Sequence, residues 1–375
     1  MGLVAAAVSA LLFIFLANFV YSKLWANGLS ISIRFSEKVV TEGDKIFLLE
    51  TLANAKIIPL PWIGAKFQLS RNLVNAGANS RISDDYYRND LFAILPFQKI
   101  TRKLPFICAR RGFYSVKSID LICPNLSHTG KMVSHSDCSA YLTVYPRILP
   151  EEEQPIPFQD LLGETVSKRA FPPDPFEFKG IRERQPSDSL RDMNFKATAK
   201  TGKLMSNTHE STSSRSALLM LNLEPYSSWM PESLQEGAIR IAATVAVELI
   251  NANVPLRFVT NGLDSFGETA DIRSGLGSGH LDSIFDALAH VALEKSSPSF
   301  SPMLAGFSQD LKSDQIYILV SAYAKKDLRD EFQRLKSFGA DALWISPVIK
   351  GESVSADLEV MGGNVFLWEI QREGV

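Results

Sequence analysis

Ala217-Leu218-Leu219-Met220-Leu221, then Pro231 and the run Glu232–Asn251, then Leu256-Arg257-Phe258-Val259-Thr260, is the stretch that decides the fold of the C-terminal half. A continuous apolar run is what a strand covered on both faces needs. Pro231 suits a helix start, and the residues after it carry apolar side chains at helical spacing. The rhythm continues with a helix over Leu281–Lys295, a strand over Gln315–Val320, a helix over Lys326–Phe338 and strands over Ala342–Ile345 and Asn364–Glu369. Such alternation predicts a mainly parallel, doubly wound α/β domain over residues 216–375.

Upstream the period changes from helical to two. Leu29-Ser30-Ile31-Ser32-Ile33-Arg34-Phe35 alternates as a half-buried strand does, and Glu42-Gly43-Asp44 supplies a turn. Further strands are predicted over Lys45–Leu52, Trp62–Leu69, Phe97–Ala109, Phe113–Cys123 and Ala140–Tyr145, with the polar stretch Asn72–Asp90 as an exposed loop. This pattern predicts a β-sandwich of immunoglobulin type over residues 28–148. The proline-rich acidic run Pro150-Glu151-Glu152-Glu153-Gln154-Pro155-Ile156-Pro157 opens a solvated linker over 149–179.

At the start of the chain, Gly2 to Tyr21 carries no charged side chain until Lys23. About 20 apolar residues is the length a helix needs to cross a hydrocarbon core. A transmembrane helix over 2–22 is therefore expected, with the bilayer as its partner. No basic segment precedes the run and no small-residue cleavage site follows it, so a signal peptide fits less well. Lys23, Arg34 and Lys38 lie after the run, which places the body in the cytoplasm of a single-pass protein of the cell membrane. Tyr21 and Trp25 read as an interfacial aromatic belt.

The chain has 375 residues, enough for two domains, and a net charge of -2, which offers no overall basic field for nucleic acid. Its three cysteines, Cys108, Cys123 and Cys138, are too few and odd for a disulfide framework. Cys123, His128, His135 and Cys138 lie close together, but their spacing matches no common zinc finger. Thr198-Ala199-Lys200-Thr201-Gly202-Lys203 lacks the upstream glycine of a phosphate-binding loop. Gly275-Leu276-Gly277-Ser278-Gly279 precedes a helix without directly following a clear strand, and reads as a flexible loop. No catalytic constellation and no cofactor site can be argued from spacing.

The run from Gly180 through Arg182, Asp188, Arg191, Phe195, Lys196, Lys200, Gly202 and Lys203 to Leu204 is the most specific stretch. It resembles the signature G-x-R-x-Y-x-x-G-D-x-x-R-x-I-x-W-[KR]-x-x-A-[RK]-x-G-x-L of the bacterial domain-of-unknown-function family 58. Arg184, Ser187 and Phe195 depart from it, standing where that family has Tyr, Gly and Trp. Arg110-Arg111-Gly112-Phe113-Tyr114 and Val144-Tyr145-Pro146 resemble two further family landmarks. The resemblance implies that segment 180–205 precedes a von Willebrand factor A-like domain. It also implies a non-enzymatic adaptor accompanying a MoxR-type AAA+ ATPase. In the von Willebrand factor A fold, Asp-x-Ser-x-Ser holds Mg²⁺. Here the matching residues are Asn222, Glu224 and Tyr226, a degenerate set, with Asp264 and Asp314 near later strand ends, so no metal is expected. Among the signature charges, a structural clamp of Asp188 with Arg182 or Arg191 competes with a basic docking surface. The alternatives to the adaptor are an exported metal-dependent adhesin and a cysteine hydrolase using Cys123 or Cys138.

Overall fold

The computed structural model describes residues 2–75, 87–126, 129–154, 178–184, 193–209, 216–227, 229–312, 315–351 and 365–371. The chain forms two compact units, Met1–Arg147 with Phe285–Val291, and Ile148–Ile284 with Ala292–Val375.

The first unit is a two-sheet sandwich. One sheet has the order β1-β3-β7-β5, from Leu29–Phe35 (β1), Lys45–Asn54 (β3), Lys99–Cys108 (β7) and Leu73–Asn75 (β5). The other has the order β2-β9-β8-β4-β6, from Val39–Thr41 (β2), Lys131–Tyr145 (β9), Gly112–Pro124 (β8), Leu60–Gln68 (β4) and Tyr87–Ile94 (β6). Alternation along β3 buries Ile46, Leu48 and Leu52, which join Ile63, Phe67, Phe92, Leu121 and Leu142 in one core. Burying the two inner faces against each other is what stabilises such a sandwich. The turn before β3 uses Gly43 at φ +95, and the Asp44 carboxylate accepts from the Thr41 amide at 2.8 Å. Asn72–Asp90 is not simply a loop: β5 and the start of β6 lie within it, while residues 76–86 fall outside the described set.

The spanning helix is a correction. Helix α1 runs Gly2–Leu24, yet among the described residues no helix is long and apolar enough to cross a membrane. The physical reason lies in its last turns. Tyr21 and Trp25, read from sequence as an interfacial belt, are 8% and 4% exposed and belong to the sandwich core. Asn18 Oδ1 accepts from the Leu126 amide at 3.1 Å, and Tyr21 Oη lies 3.4 Å from Cys123 Sγ. Val8–Leu16 is exposed throughout. The expected single-pass location in the cell membrane, with the body in the cytoplasm, falls with the spanning helix.

In the second unit, Phe178–Glu183 (β10) and Met205–His209 (β11) form an antiparallel ribbon, with helix α2 (Phe195–Thr201) between them. A six-stranded sheet follows, of order β14-β13-β12-β15-β16-β17. Its strands are Ser216–Asn222 (β12), Leu256–Leu263 (β13), Thr269–Gly275 (β14), Gln315–Ser321 (β15), Asp341–Ile349 (β16) and Val365–Ile370 (β17). Four pairings are parallel and β13–β14 is antiparallel. Leu218–Leu221 are at most 1% exposed, as a strand covered on both faces requires. The helices are α3 (Glu232–Asn251), α4 (Ser278–His290, of which Phe285–His290 belongs to the first unit), α5 (Ser301–Gln309) and α6 (Lys326–Ser337). Gly275-Leu276-Gly277-Ser278-Gly279 does follow a strand, β14, contrary to the sequence reading. Gly277, at φ +86, marks the turn into α4.

Candidate functional site

The degenerate metal position lies where β12, β13 and β15 end side by side. Asn222 is 2% exposed, and Asn261 and Ser321 are fully buried. The Asn222 amide nitrogen donates to Ser321 Oγ at 3.0 Å. Its carbonyl oxygen accepts from Asn261 Nδ2 at 2.8 Å and from the Glu224 amide at 2.9 Å. Asn261 also accepts from the Leu223 amide at 2.8 Å and donates to the Pro298 carbonyl at 2.7 Å. Ser321 Oγ donates to the Tyr323 carbonyl at 2.9 Å and accepts from the Tyr323 amide at 3.0 Å. An amide oxygen has two lone pairs, and both of those on Asn222 are taken by protein donors. The Asn222 side chain therefore has no oxygen lone pair left for a cation.

The other expected ligands are spent elsewhere. Glu224 Oε2 accepts from the Phe300 amide at 3.0 Å, and Tyr226 packs half-buried against an apolar cluster. Asp264 accepts from the amides of Phe266 at 2.8 Å and Glu268 at 2.9 Å, and these backbone donors, Glu268 first, hold its carboxyl below the usual range. Asp314 lies outside the described residues. Tyr323 donates to Asp327 at 3.0 Å, and burial together with that carboxylate pushes its phenol up. Burial works to raise Asp327, but hydrogen bonds from Ser301 and Tyr323 hold it low. Among the described residues no group of three or more His, Cys, Asp or Glu could hold a metal.

The thiol and imidazole cluster is not brought together. Cys123 is 1% exposed in the sandwich core, whereas the His135 side chain is 60% exposed and pairs with Asp120 at 2.8 Å. Cys138 reaches only the Ile33 carbonyl, at 3.8 Å, and His128 lies outside the described residues. Burial raises the Cys123 thiol, and burial with Asp44 and Glu37 nearby pushes Cys108 up to about 12. The nucleophilic form of cysteine is the thiolate, and these surroundings oppose it.

The signature segment folds as a small unit of its own. Gly180 and Arg182 lie on β10, opposite Thr208 and Ser206 of β11, while Asp188 and Arg191 fall outside the described residues. Asn194 caps α2, its side chain accepting from the Ala197 amide at 2.9 Å, and Gly202 ends the helix at φ +70. A left-handed residue is where glycine is favoured at a helix end. Thr198 faces inward, its hydroxyl accepting from the Met205 amide at 3.0 Å. Phe195, Lys196, Ala199 and Lys200 are exposed, Phe195 at 71%. Lys203 forms an ion pair with Glu183. Among the described residues neither Lys196 nor Lys200 has a hydrogen-bond or ion-pair partner.

One cluster escaped the sequence reading. Glu50 occupies an inward position on β3, between Leu48 and Leu52, and is fully buried with neither carboxylate oxygen hydrogen-bonded. Arg88 Nε is 4.0 Å away but is hydrogen-bonded to Asp90. Arg102 pairs with Glu50 across β3–β7, and its guanidinium sits 4.0 Å over the Phe92 ring. Burial, then the Asp90 carboxylate, raises Glu50 to about 8, against the pull of Arg88 and Arg102. A charge in an inward row of a period-two strand was the signal available.

No family model matches the chain, and no curated protein matches it. Solved structures similar to it include a CARDB domain from Pyrococcus furiosus in complex with two metal ions. That domain is 10% identical over 31% of this chain and 93% of its own, with a TM-score of 0.22. A type I cohesin from Pseudobacteroides cellulosolvens is 12% identical over 33% of this chain and 96% of its own, with a TM-score of 0.21. A type I cohesin–dockerin complex from Clostridium thermocellum matches at 12% identity, 32% of this chain and 99% of that chain, with a TM-score of 0.23. The expected fold class of spanning helix, immunoglobulin-like sandwich and von Willebrand factor A-like domain is corrected on the structure itself, since none of the helices among the described residues is long and apolar enough to cross a membrane. What the structure describes is mostly β-sheet, with six helices among the described residues.

Proposed function

We propose that this chain is a non-enzymatic protein-interaction protein, an adaptor of the family 58 kind that accompanies a MoxR-type AAA+ ATPase. One observation carries the reading. The signature segment builds a β10–α2–β11 unit whose outer helix face keeps an aromatic ring and two lysines in solvent. Core packing does not require those side chains, since no residue of α2 is buried. A second point accords with the reading: at the ends of β12, β13 and β15 the Asn222, Asn261 and Ser321 side chains are bound to one another and to nearby backbone groups. The net charge of -2 argues against a nucleic-acid partner.

The test is co-expression of the full chain with a MoxR-type ATPase from the same genome, followed by affinity capture. The ATPase should be enriched over a control bait of similar charge. Equal recovery on bait and control overturns the adaptor reading.

A further inference from the structure

The face of α2 is specific enough to name the chemistry of what it meets. Phe195 and Ala199 stand four residues apart, as do Lys196 and Lys200, so the four form one stripe along the helix. On the other side, the half-buried Thr198 accepts from the Met205 amide of β11 at 3.0 Å and so ties the helix to the ribbon. Like charges four apart destabilise a helix, and α2 has only seven residues to absorb that cost. The Asn194 cap and the Gly202 exit close its two ends. The one described carboxylate engaged with this unit, Glu183, is taken by Lys203. Among the described residues, two ammonium groups without an ion-pair partner thus flank an exposed ring.

We propose that this stripe docks an acidic protein segment in which two carboxylates bracket one apolar side chain. The apolar residue covers Phe195 and Ala199, and the carboxylates meet Lys196 and Lys200. This deepens the interaction reading above and rests on it. Charge complementarity is what selects the occupant. Burying the ring excludes water from the ion pairs, so both contributions act together.

The probe is a fluorescein-labelled helical peptide of alternating Glu and Leu pairs, read by anisotropy with the full chain. A Gln/Leu peptide of the same length and phosphatidylglycerol vesicles serve as the other arms. The acidic peptide should bind at least about tenfold more tightly than the Gln/Leu peptide, with affinity falling as salt rises. The double variant Lys196→Glu, Lys200→Glu should lose at least about tenfold, and Phe195→Ser should lose binding too, both with unchanged melting. Lys196→Arg, Lys200→Arg should bind as the parent does. Equal binding of both peptides, or an undiminished double variant, overturns the proposal. So does vesicle binding that depends on the two lysines while the peptide stays free. If the peptide binds as described but the ATPase is not captured, the adaptor reading fails and the docking surface stands. If the double variant still captures the ATPase, the adaptor reading stands and the docking surface falls.

Discussion

Replacing Glu50 by glutamine should abolish a pH dependence that the sandwich otherwise carries. The carboxyl has no exposed surface and no hydrogen-bond partner, and its acidity is displaced from the ordinary 4.5 to about 8, first by burial and then by the Asp90 carboxylate. A group that holds its proton more tightly when folded stabilises the fold in its protonated form. That contribution is complete below the unfolded value, is drawn down as pH rises through the folded one, and is gone above it. At about 1.4 kcal/mol for each tenfold step in acidity, the displacement sets a ceiling of ~5 kcal/mol. Because β6 is an edge strand that can relax and admit water, an effect on the order of 3 kcal/mol is the working figure. Scanning calorimetry of the parent and Glu50→Gln from pH 5 to pH 9 checks it. The parent's sandwich transition should fall across that range, that of the variant should stay nearly level, and the variant should be the more stable at pH 9. A gap between the two proteins that does not change with pH refutes the argument, because it would mean the carboxyl is ionised, or neutral, throughout.

Asn261→Ala removes the acceptor of the Leu223 amide and the donor to Asn222, both buried. It should cost about 1–3 kcal/mol, measured by urea unfolding of the second unit. Gly112→Ala should destabilise the sandwich by about 1–3 kcal/mol, seen as a lowered melting temperature: Gly112 sits at φ +149, and a Cβ there would meet the Tyr114 ring at 3.1 Å. Cys108 and Cys123, buried and poor in thiolate, should react with a maleimide only at the rate of unfolding, while a thiol reacting at the rate of a free peptide would contradict the packing described.

The interior of the second unit was the most legible part of the chain. Strands β12 and β15 are covered on both faces, so nearly every side chain must be apolar and the run stands out from its surroundings. Helix α3 was equally plain, because thirteen of its residues are buried and their spacing imposes the helical period. Strand β14, Thr269–Gly275, was hidden for the opposite reason. It lies at a sheet edge, buries none of its side chains and reads as a polar loop ending in glycines. Helix α5 was missed too, since only Leu304 and Ser308 of its nine residues are buried and its pattern is too short to show a period. The Asn222–Asn261–Ser321 network could not be found by motif: its members stand 39 and 99 residues apart and meet only when the strands align.

The first helix shows where reading a run as a single object misleads. Composition treats Gly2 to Tyr21 as uniform, and a uniform apolar run of that length has one obvious solvent. The fold divides it instead. From Asn18 onward the helix is bound to the sandwich by a side-chain cap on Leu126, by the Tyr21–Cys123 contact and by the burial of Trp25. Lys56 then closes the helix exit, its ammonium donating to the carbonyls of Trp25 and Asn27. Cys123 belongs to a strand more than a hundred positions downstream, so no window centred on the helix could have revealed that its last turns were already committed. Aromatic residues at the end of an apolar run carry the same composition whether they face a lipid headgroup or a protein core. Only the partner decides between the two, and here the partner is the inner face of β8.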